Sequence, residues 1–588
     1  MLRSLAGTCQ TAVVLALLGS VGGCSAASTD SGATGGLASK VATGGVGMGG
    51  SGTGGFATGG SDNLGGSNPT GGNPPTGGIA ATGGVEVGAT GAGGLTGGGG
   101  TTGGAMPTGG LAATGGSGAA TGGQGGDSTF TLSGLTIEEN PNSVLSAYVN
   151  WTTDQPADSV VQFGEGEIQW EISDPELVTT HHVLIIGMHA DSTVQIQARS
   201  SAGGQTVSAT TSHTTGSLPP SIPVGQVPIN DTTRTSPGWT LMNVQKGDGN
   251  SVPSSDYPAQ AVMYDSGGQP VWYQLDGTGL DFGGAISVDL TDRGVLFGPV
   301  GGQNMTVVEP PREVDFAGNV IWECSDPGCG NSEGNLSHHA AKLANGNYVL
   351  VRWLTDGGNQ EPVIEEITED QNLVASWDFQ QFVPRPADAT GDWCHGNAAT
   401  IDAANNAVYI SCRWMGLIKV TYEAPTLLWH LPASYNAAGL GTLQFVPSDS
   451  QFTDIHDPEI HDDGTILFFD NGGWDGLMQT TEHHSRAVEY QIDEDAGTAT
   501  LVWEFPGNFD VDSWYRDDWY QPFWGDADRL ANGNVLVTAG ERGSDTESRV
   551  FEVTKEDGQV VWELHLGPDI GVYRAERITP PLVRAITP

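Results

Sequence analysis

A chain of 588 residues with 68 acidic against 21 basic side chains carries a formal net charge of −47. Phosphate binding needs a basic face, so this balance argues against nucleic acid as a partner, and any anionic ligand requires a local basic pocket. The charge favours solubility and says little about fold.

Met1 to Gly23 has Arg3 near its start, an apolar run from Ala12 to Leu18, and then Val21-Gly22-Gly23-Cys24. A charged start and a short apolar core ending in small residues predict an export signal over 1–23, too short for a durable membrane span. A cysteine straight after the small residues resembles a bacterial lipoprotein processing site. That resemblance makes Cys24 the lipidated N-terminus and the membrane anchor of an exported protein, at the outer membrane or cell surface; the other location open to it is periplasmic or secreted. Residues 24–127 are dominated by Gly, Thr, Ala and Ser, as in Thr76-Gly77-Gly78 and Thr102-Gly103-Gly104. Such a segment buries too little apolar surface to offset its backbone entropy, and a disordered tether is expected.

Composition changes at Ser128. Over 128–216 apolar and polar residues alternate in short runs, including Ser146-Ala147-Tyr148-Val149-Asn150-Trp151 and Val183-Leu184-Ile185-Ile186-Gly187. Short strands at this spacing predict a small β-sandwich. Val149-Asn150-Trp151-Thr152-Thr153-Asp154 followed by Val160-Val161-Gln162-Phe163-Gly164 resembles fibronectin type III domains that precede catalytic domains in exported enzymes. Nothing in it looks catalytic, and a spacer or a lid packed on the next domain is expected.

Pro219-Pro220 and Pro223 mark a boundary, and 217–588 reads as one domain with repeats from about Pro237. Asp462-Asp463-Gly464 has turn chemistry and leads into the apolar run Thr465 to Phe469, so this stretch reads as a hairpin whose first arm opens at His456. His338 stands eight residues before Gly346 as His456 stands before Gly464, and Gly525 to Val537 repeats the frame with glycine in the histidine's place. A degenerate copy starts at His395, and an earlier one runs from Ile286 through Arg293-Gly294 into Val295. Beside several copies a strand ends in tryptophan, giving Trp272, Trp322, Trp377, Trp429, Trp503 and Trp562 at intervals of about fifty to seventy residues. Such repeats predict an all-β chain whose C-terminal domain is a six-bladed β-propeller.

Blades surround a central channel, so equivalent frame positions converge near its mouth. His338, His395 and His456 start such strands, Arg413 lies on the return arm of the His395 hairpin, and Asn397 is two residues beyond His395 on the same side. The three histidines could hold a metal, normally zinc or copper, although Arg413 weighs against a cation. They could instead bind an oxyanion while one neutral histidine acts as nucleophile. Two further readings stay open: a non-catalytic tethered propeller that binds a protein or glycan, and a metal-dependent propeller enzyme.

His338-His339 with Leu343-Ala344-Asn345-Gly346-Asn347, Asp392-Trp393-Cys394-His395-Gly396-Asn397 with Ser411-Cys412-Arg413, His456-Asp457 with Phe469-Asp470-Asn471-Gly472, and Ser485-Arg486-Ala487-Val488-Glu489-Tyr490 resemble the bacterial arylsulfate sulfotransferases. The resemblance covers the chain from about Pro237. It implies transfer of a sulfuryl group from an aryl sulfate donor to a phenolic acceptor, without a nucleotide donor and without a cofactor. By resemblance His456 is the nucleophile and forms a sulfohistidine; Arg413, Asn397, His395 and His338 hold sulfate oxygens or serve the phenolic oxygen as acid and base. The shared offset favours His338 over His339 in the site, with His339 kept as a substrate-binding candidate; Asp457 could orient His456, although adjacent residues on a strand normally face opposite ways. The pattern departs at Ala340, where an acidic residue is common, and at Ala398-Ala399. Export makes disulfides permissible, and Cys324 with Cys329 and Cys394 with Cys412 are the candidate pairs.

Overall fold

The computed structural model describes residues 130–588 except 247–259, 276–286, 302–306, 326–328, 330–334, 357, 387–390, 435–441, 474–483, 513–518, 541–546, 569 and 586–588. The predicted export segment, Cys24 and the tether 24–127 lie outside the described residues.

Two long strands, Ala147–Glu165 and Trp170–Ile185, bend together where their register shifts between Thr152 and Ser159. The first half of Ala147–Glu165 pairs with Leu132–Glu139, and the second half with Thr193–Ala202, which in turn pairs with Gln205–Thr214. The bend thus folds one continuous sheet into two facing layers, because unmatched residues, first on Ala147–Glu165 and then on Trp170–Ile185, break the ladder and steepen its twist. Alternating residues point inward, and Trp151 is buried between the layers with its indole N–H donating to Ser200 Oγ at 2.9 Å and its ring stacked on His181. This core is continuous with that of the propeller: Trp239, Met263, Val295 and Phe297 belong to the same cluster as Trp151, Phe163 and Ile196. Trp239 approaches so closely that a Cβ at Gly187 would lie 2.8 Å from its ring, and Gly187 has φ +93°. The small module is therefore built onto the propeller wall, as a packed element and not a loose spacer.

Six sheets form the blades. Blades 2 to 6 begin at Val288–Leu290, Asn335–Lys342, Gly396–Asp402, Ile455–Ile460 and Asp526–Arg529, the five segments that share the turn frame in the sequence. Blade 1 contains Trp239–Lys246, Gln260–Tyr264 and Pro270–Leu275, and its innermost strand, Ala575–Ile578, comes from the far end of the chain. Gln226–Asn230 adds a fifth strand to the outer edge of blade 6. The propeller thus starts before Pro237, and the ring is closed at both an inner and an outer edge. Beyond it, Arg584–Ala585 pairs with Trp170 and Glu171 of the N-terminal module.

Each repeated tryptophan lies on the fourth strand of its blade, counted from the channel, and reaches the next blade. Trp272 donates to Phe316 O, Trp322 to Glu369 O, Trp429 to Glu494 Oε1 and Trp562 to Ser266 O, all at 2.9 to 3.0 Å. Trp377 packs on Tyr422 and Trp503 lies under the Lys555 ammonium. The tryptophan period is therefore the period of the seams between blades, where one large ring supplies apolar area and a donor. The Asn-Gly-Asn turns serve the same purpose locally: Asn345 and Asn347 both donate to Glu366, and Asn532 and Asn534 to Glu552.

Candidate active site

Three innermost strands carry bulges at one end of the channel, between Ser337 and Ala340, Gly396 and Ala398, and His456 and Glu459. His338 (φ 40°), His395 (φ 57°) and Asp457 (φ 43°) sit there in the left-handed region, which non-glycine residues avoid unless the surroundings hold them. The bulge on the blade 3 strand carries His338 out of the pleat to face His395. The His338 ring meets the His395 ring edge-on at 4.7 Å between centroids, and Tyr573 lies 6.1 Å from His338 and 6.3 Å from His456. Trp353 and Trp414 pack on His395, and Trp524 on Tyr573. The result is a cage of aromatic rings around polar nitrogens.

Each polar group is held. Asp392 accepts from His395 Nδ1 at 2.5 Å and from the His395 backbone N–H at 3.0 Å. His338 Nδ1 and Ser337 Oγ share a 2.5 Å hydrogen bond. His456 Nδ1 lies 2.5 Å from Asn471 Oδ1. Arg413 donates to Asp454 Oδ2 at 3.1 Å and to the Pro522 carbonyl, while its Nε–H is buried without a partner among the described residues. The Asn397 oxygen accepts from Ser411 Oγ at 3.0 Å and one of its N–H groups donates to Ile455 O at 2.8 Å.

Burial holds His456 and His338 well below the usual imidazole value; Arg413 is the next cause for His456, and His395 for His338. Both shifts favour the neutral ring. His339, held low by burial and then by Arg574, faces away: its Nδ1 accepts from the Ala399 backbone N–H at 3.1 Å and ties blade 3 to blade 4. The structure brings His338, His395, His456 and Arg413 together and sets His339 beside a cavity of about 530 Å³ inside the ring of blades. Asp457 also lines that cavity, bound to Arg574 Nε at 2.7 Å. Asp457 therefore does not orient His456: the two adjacent side chains point different ways, Asp457 to Arg574 and His456 to Asn471, which holds the ring.

The cavity carries carboxyl groups whose protons are held on by burial, among them Asp289 (about 6) and Glu459 (about 7). Among the described residues no group of three or more His, Cys, Asp or Glu is arranged to hold a metal ion. The structure joins Cys324 to Cys329 and Cys394 to Cys412, and the second bridge stands one residue before both His395 and Arg413.

Tyr573, Arg574 and Trp353 were not singled out by the sequence, and Asn471 entered only within Phe469-Asp470-Asn471-Gly472, with no role of its own. Asn471 had a signal, its place directly after Asp470. Tyr573 and Arg574 had none, since the strand that follows them enters blade 1 without the repeat frame.

The family model for arylsulfotransferases matches residues 226–574. Arylsulfate sulfotransferase AssT of Escherichia coli is 27% identical over 220 residues, covering 32% of this chain and 36% of that protein. AssT of Lelliottia amnigena is 25% identical over 217 residues, covering 33% and 36%. The matched part thus spans about a third of the length of these curated relatives. Among solved structures, a quinoprotein alcohol dehydrogenase-like protein from Bacteroides thetaiotaomicron aligns over 74% of this chain and 94% of its own, at 10% identity and a TM-score of 0.30. The family match extends from the outer strand of blade 6 to Arg574, beside the cage, and on that match the chain belongs to the arylsulfotransferase family.

Proposed function

We propose that this protein transfers a sulfuryl group from an aryl sulfate ester to a phenolic acceptor, with His456 as the nucleophile. The observation that carries the reading is the convergence of His338, His395 and His456 with the buried Arg413 Nε–H, which has no partner among the described residues, inside a cage of aromatic rings. An aryl ring finds apolar walls there, and its sulfate oxygens find donors in Arg413 and His338. In the first half-reaction a His456 nitrogen bonds to sulfur as the sulfur–phenolic oxygen bond breaks. The departing oxygen keeps the electron pair and takes a proton from His395, which enters the step with a proton on each ring nitrogen, Nδ1–H bound to Asp392 and Nε2–H toward the oxygen, and leaves it neutral. In the second, an acceptor phenol returns a proton to His395 as its oxygen attacks the sulfohistidine sulfur, which frees His456. Donors aimed at the sulfuryl oxygens stabilise the charge that builds in both transition states. An exported location with a lipid anchor on Cys24 completes the proposal and rests on the sequence.

The test is intact-mass analysis after rapid mixing with 4-nitrophenyl sulfate, with nitrophenol release followed in parallel. The expected result is a labile adduct of about 80 Da, one SO₃ group, that phenol discharges and His456→Ala abolishes. Nitrophenol release by His456→Ala at the wild-type rate would overturn the assignment.

A further inference from the structure

We propose that Asn471 is a positioning residue that fixes His456 in the Nδ1–H tautomer and so makes Nε2 the nucleophilic nitrogen; this rests on the sulfuryl-transfer reading above. Asn471 is fully buried. Its Nδ2 donates to the carbonyls of Gln521 and Trp524, each at 2.7 Å. Turning the amide over would set its oxygen against those two carbonyl oxygens, so the orientation is decided by the two carbonyls independently of His456. The amide oxygen then faces His456 Nδ1 at 2.5 Å, and because a carbonyl oxygen only accepts, the proton must be on Nδ1. A neutral ring with its proton there has its lone pair on Nε2.

The asparagine is itself clamped. Its backbone N–H donates to Asp454 O at 3.3 Å and its carbonyl accepts from Ser485 Oγ at 2.9 Å. Asp470 Oδ1 accepts from the backbone N–H groups of Thr453, Asp454 and Gly472, closing the turn. Gly472 has φ +80°, and a Cβ there would lie 1.9 Å from the His484 carbonyl oxygen, so only glycine permits the turn that presents Asn471. Phe469-Asp470-Asn471-Gly472 is thus one device: aspartate caps, glycine bends, and asparagine hands the proton position to the ring. Gln521 and Trp524 precede the first strand of blade 6, so the ring is aimed from two blades.

The choice of an amide over a carboxylate follows from the chemistry. A carboxylate would hold the same tautomer, but it would raise the ring's basicity and repel an anionic sulfate ester. A neutral amide fixes the proton without either effect.

Two measurements decide the matter. Nitrogen NMR of histidine-labelled protein, with the His456 signals identified by their loss in His456→Ala, should show Nδ1 protonated and Nε2 bare above pH 7, and mixed tautomers in Asn471→Ala. A wild-type ring protonated on Nε2, or the same mixture in both proteins, overturns the proposal whatever His456 does in turnover. The kinetic companion compares Asn471→Ala with Asn471→Asp. Alanine should lower kcat roughly 10- to 100-fold with a small change in KM. Aspartate keeps an acceptor, so it should retain more kcat than alanine and move the acid limb of kcat/KM to higher pH. Equal losses with an unmoved acid limb would overturn it. Full activity in His456→Ala would instead defeat the nucleophile assignment, leaving the tautomer result to stand or fall separately.

Discussion

The Cys394–Cys412 bridge invites removal, because each half-cystine precedes a site side chain. Cys394 and Cys412 are fully buried and close a loop of sequence separation 18 across the first hairpin of blade 4. Loop-closure entropy for that length gives about 3 kcal/mol at 25 °C. A domain with roughly 5 to 15 kcal/mol of stability survives that loss, so Cys394→Ala/Cys412→Ala should remain folded, with no lone thiol left behind. Two backbone hydrogen bonds persist beside the bridge, Arg413 N–H to His395 O at 3.0 Å and Trp414 N–H to Cys394 O at 3.3 Å. What the variant loses is the covalent limit on how far His395, strained at φ 57°, drifts from Arg413. A drift of about 1 Å at a reacting centre costs roughly 100-fold in rate. Urea denaturation followed by tryptophan fluorescence measures the first effect, and nitrophenol release from 4-nitrophenyl sulfate, at a temperature where the variant is folded, measures the second. A variant that loses about 3 kcal/mol while keeping kcat and KM would refute the positioning argument and leave the bridge as a stabiliser.

Trp562→Ala should cost about 3 to 5 kcal/mol in urea denaturation, since Trp562 is fully buried, donates to Ser266 O across the closing seam and packs against the Arg577 guanidinium at 4.6 Å; a loss under 1 kcal/mol would mean that seam is not a main support. His189 is held up at about 9, chiefly by its hydrogen bond to Asp265 of blade 1 and then, against burial, by Glu165 of the N-terminal module. A raised folded value means the charged pair stabilises fully below about pH 6.5 and is lost as pH rises through about 9. Half-exposed pairs are screened, so His189→Gln should cost under about 1 kcal/mol at pH 6 and nothing at pH 10; a thermal-melting difference that grows with pH would contradict this sign.

Five of the six innermost strands were legible because each leads into a turn that leaves glycine, asparagine or aspartate in the sequence. The sixth, Ala575–Ile578, arrives from a distant part of the chain, and no local pattern records a pairing set by ring closure. The spacing was also misleading by one residue. It equated His338 with His456, whereas the ladders pair Ser337 with Val351 and His456 with Phe469, both five residues beyond their turn glycines. A bulge changes which residue faces the mouth without changing the spacing, so His338 reaches the site from the bulge while His456 reaches it from a paired position. The tryptophan series gave the blade number because every seam repeats the same need. Asn471 carried its chemistry in an amide orientation, which depends on carbonyls some fifty residues away.

The double closure of the ring has a consequence for the order of events during synthesis. Blades 2 to 5 are complete in local sequence and can pair as they emerge, but blade 1 lacks its inner strand until Ala575–Ile578 is made, and Tyr573 and Arg574 come with it. The cage around His456 gains its Tyr573 wall only then. A nascent chain therefore carries the histidines for a long interval without a finished reaction chamber, and a stop codon even a few residues before Tyr573 would yield a protein with its nucleophile present and its pocket open on one side.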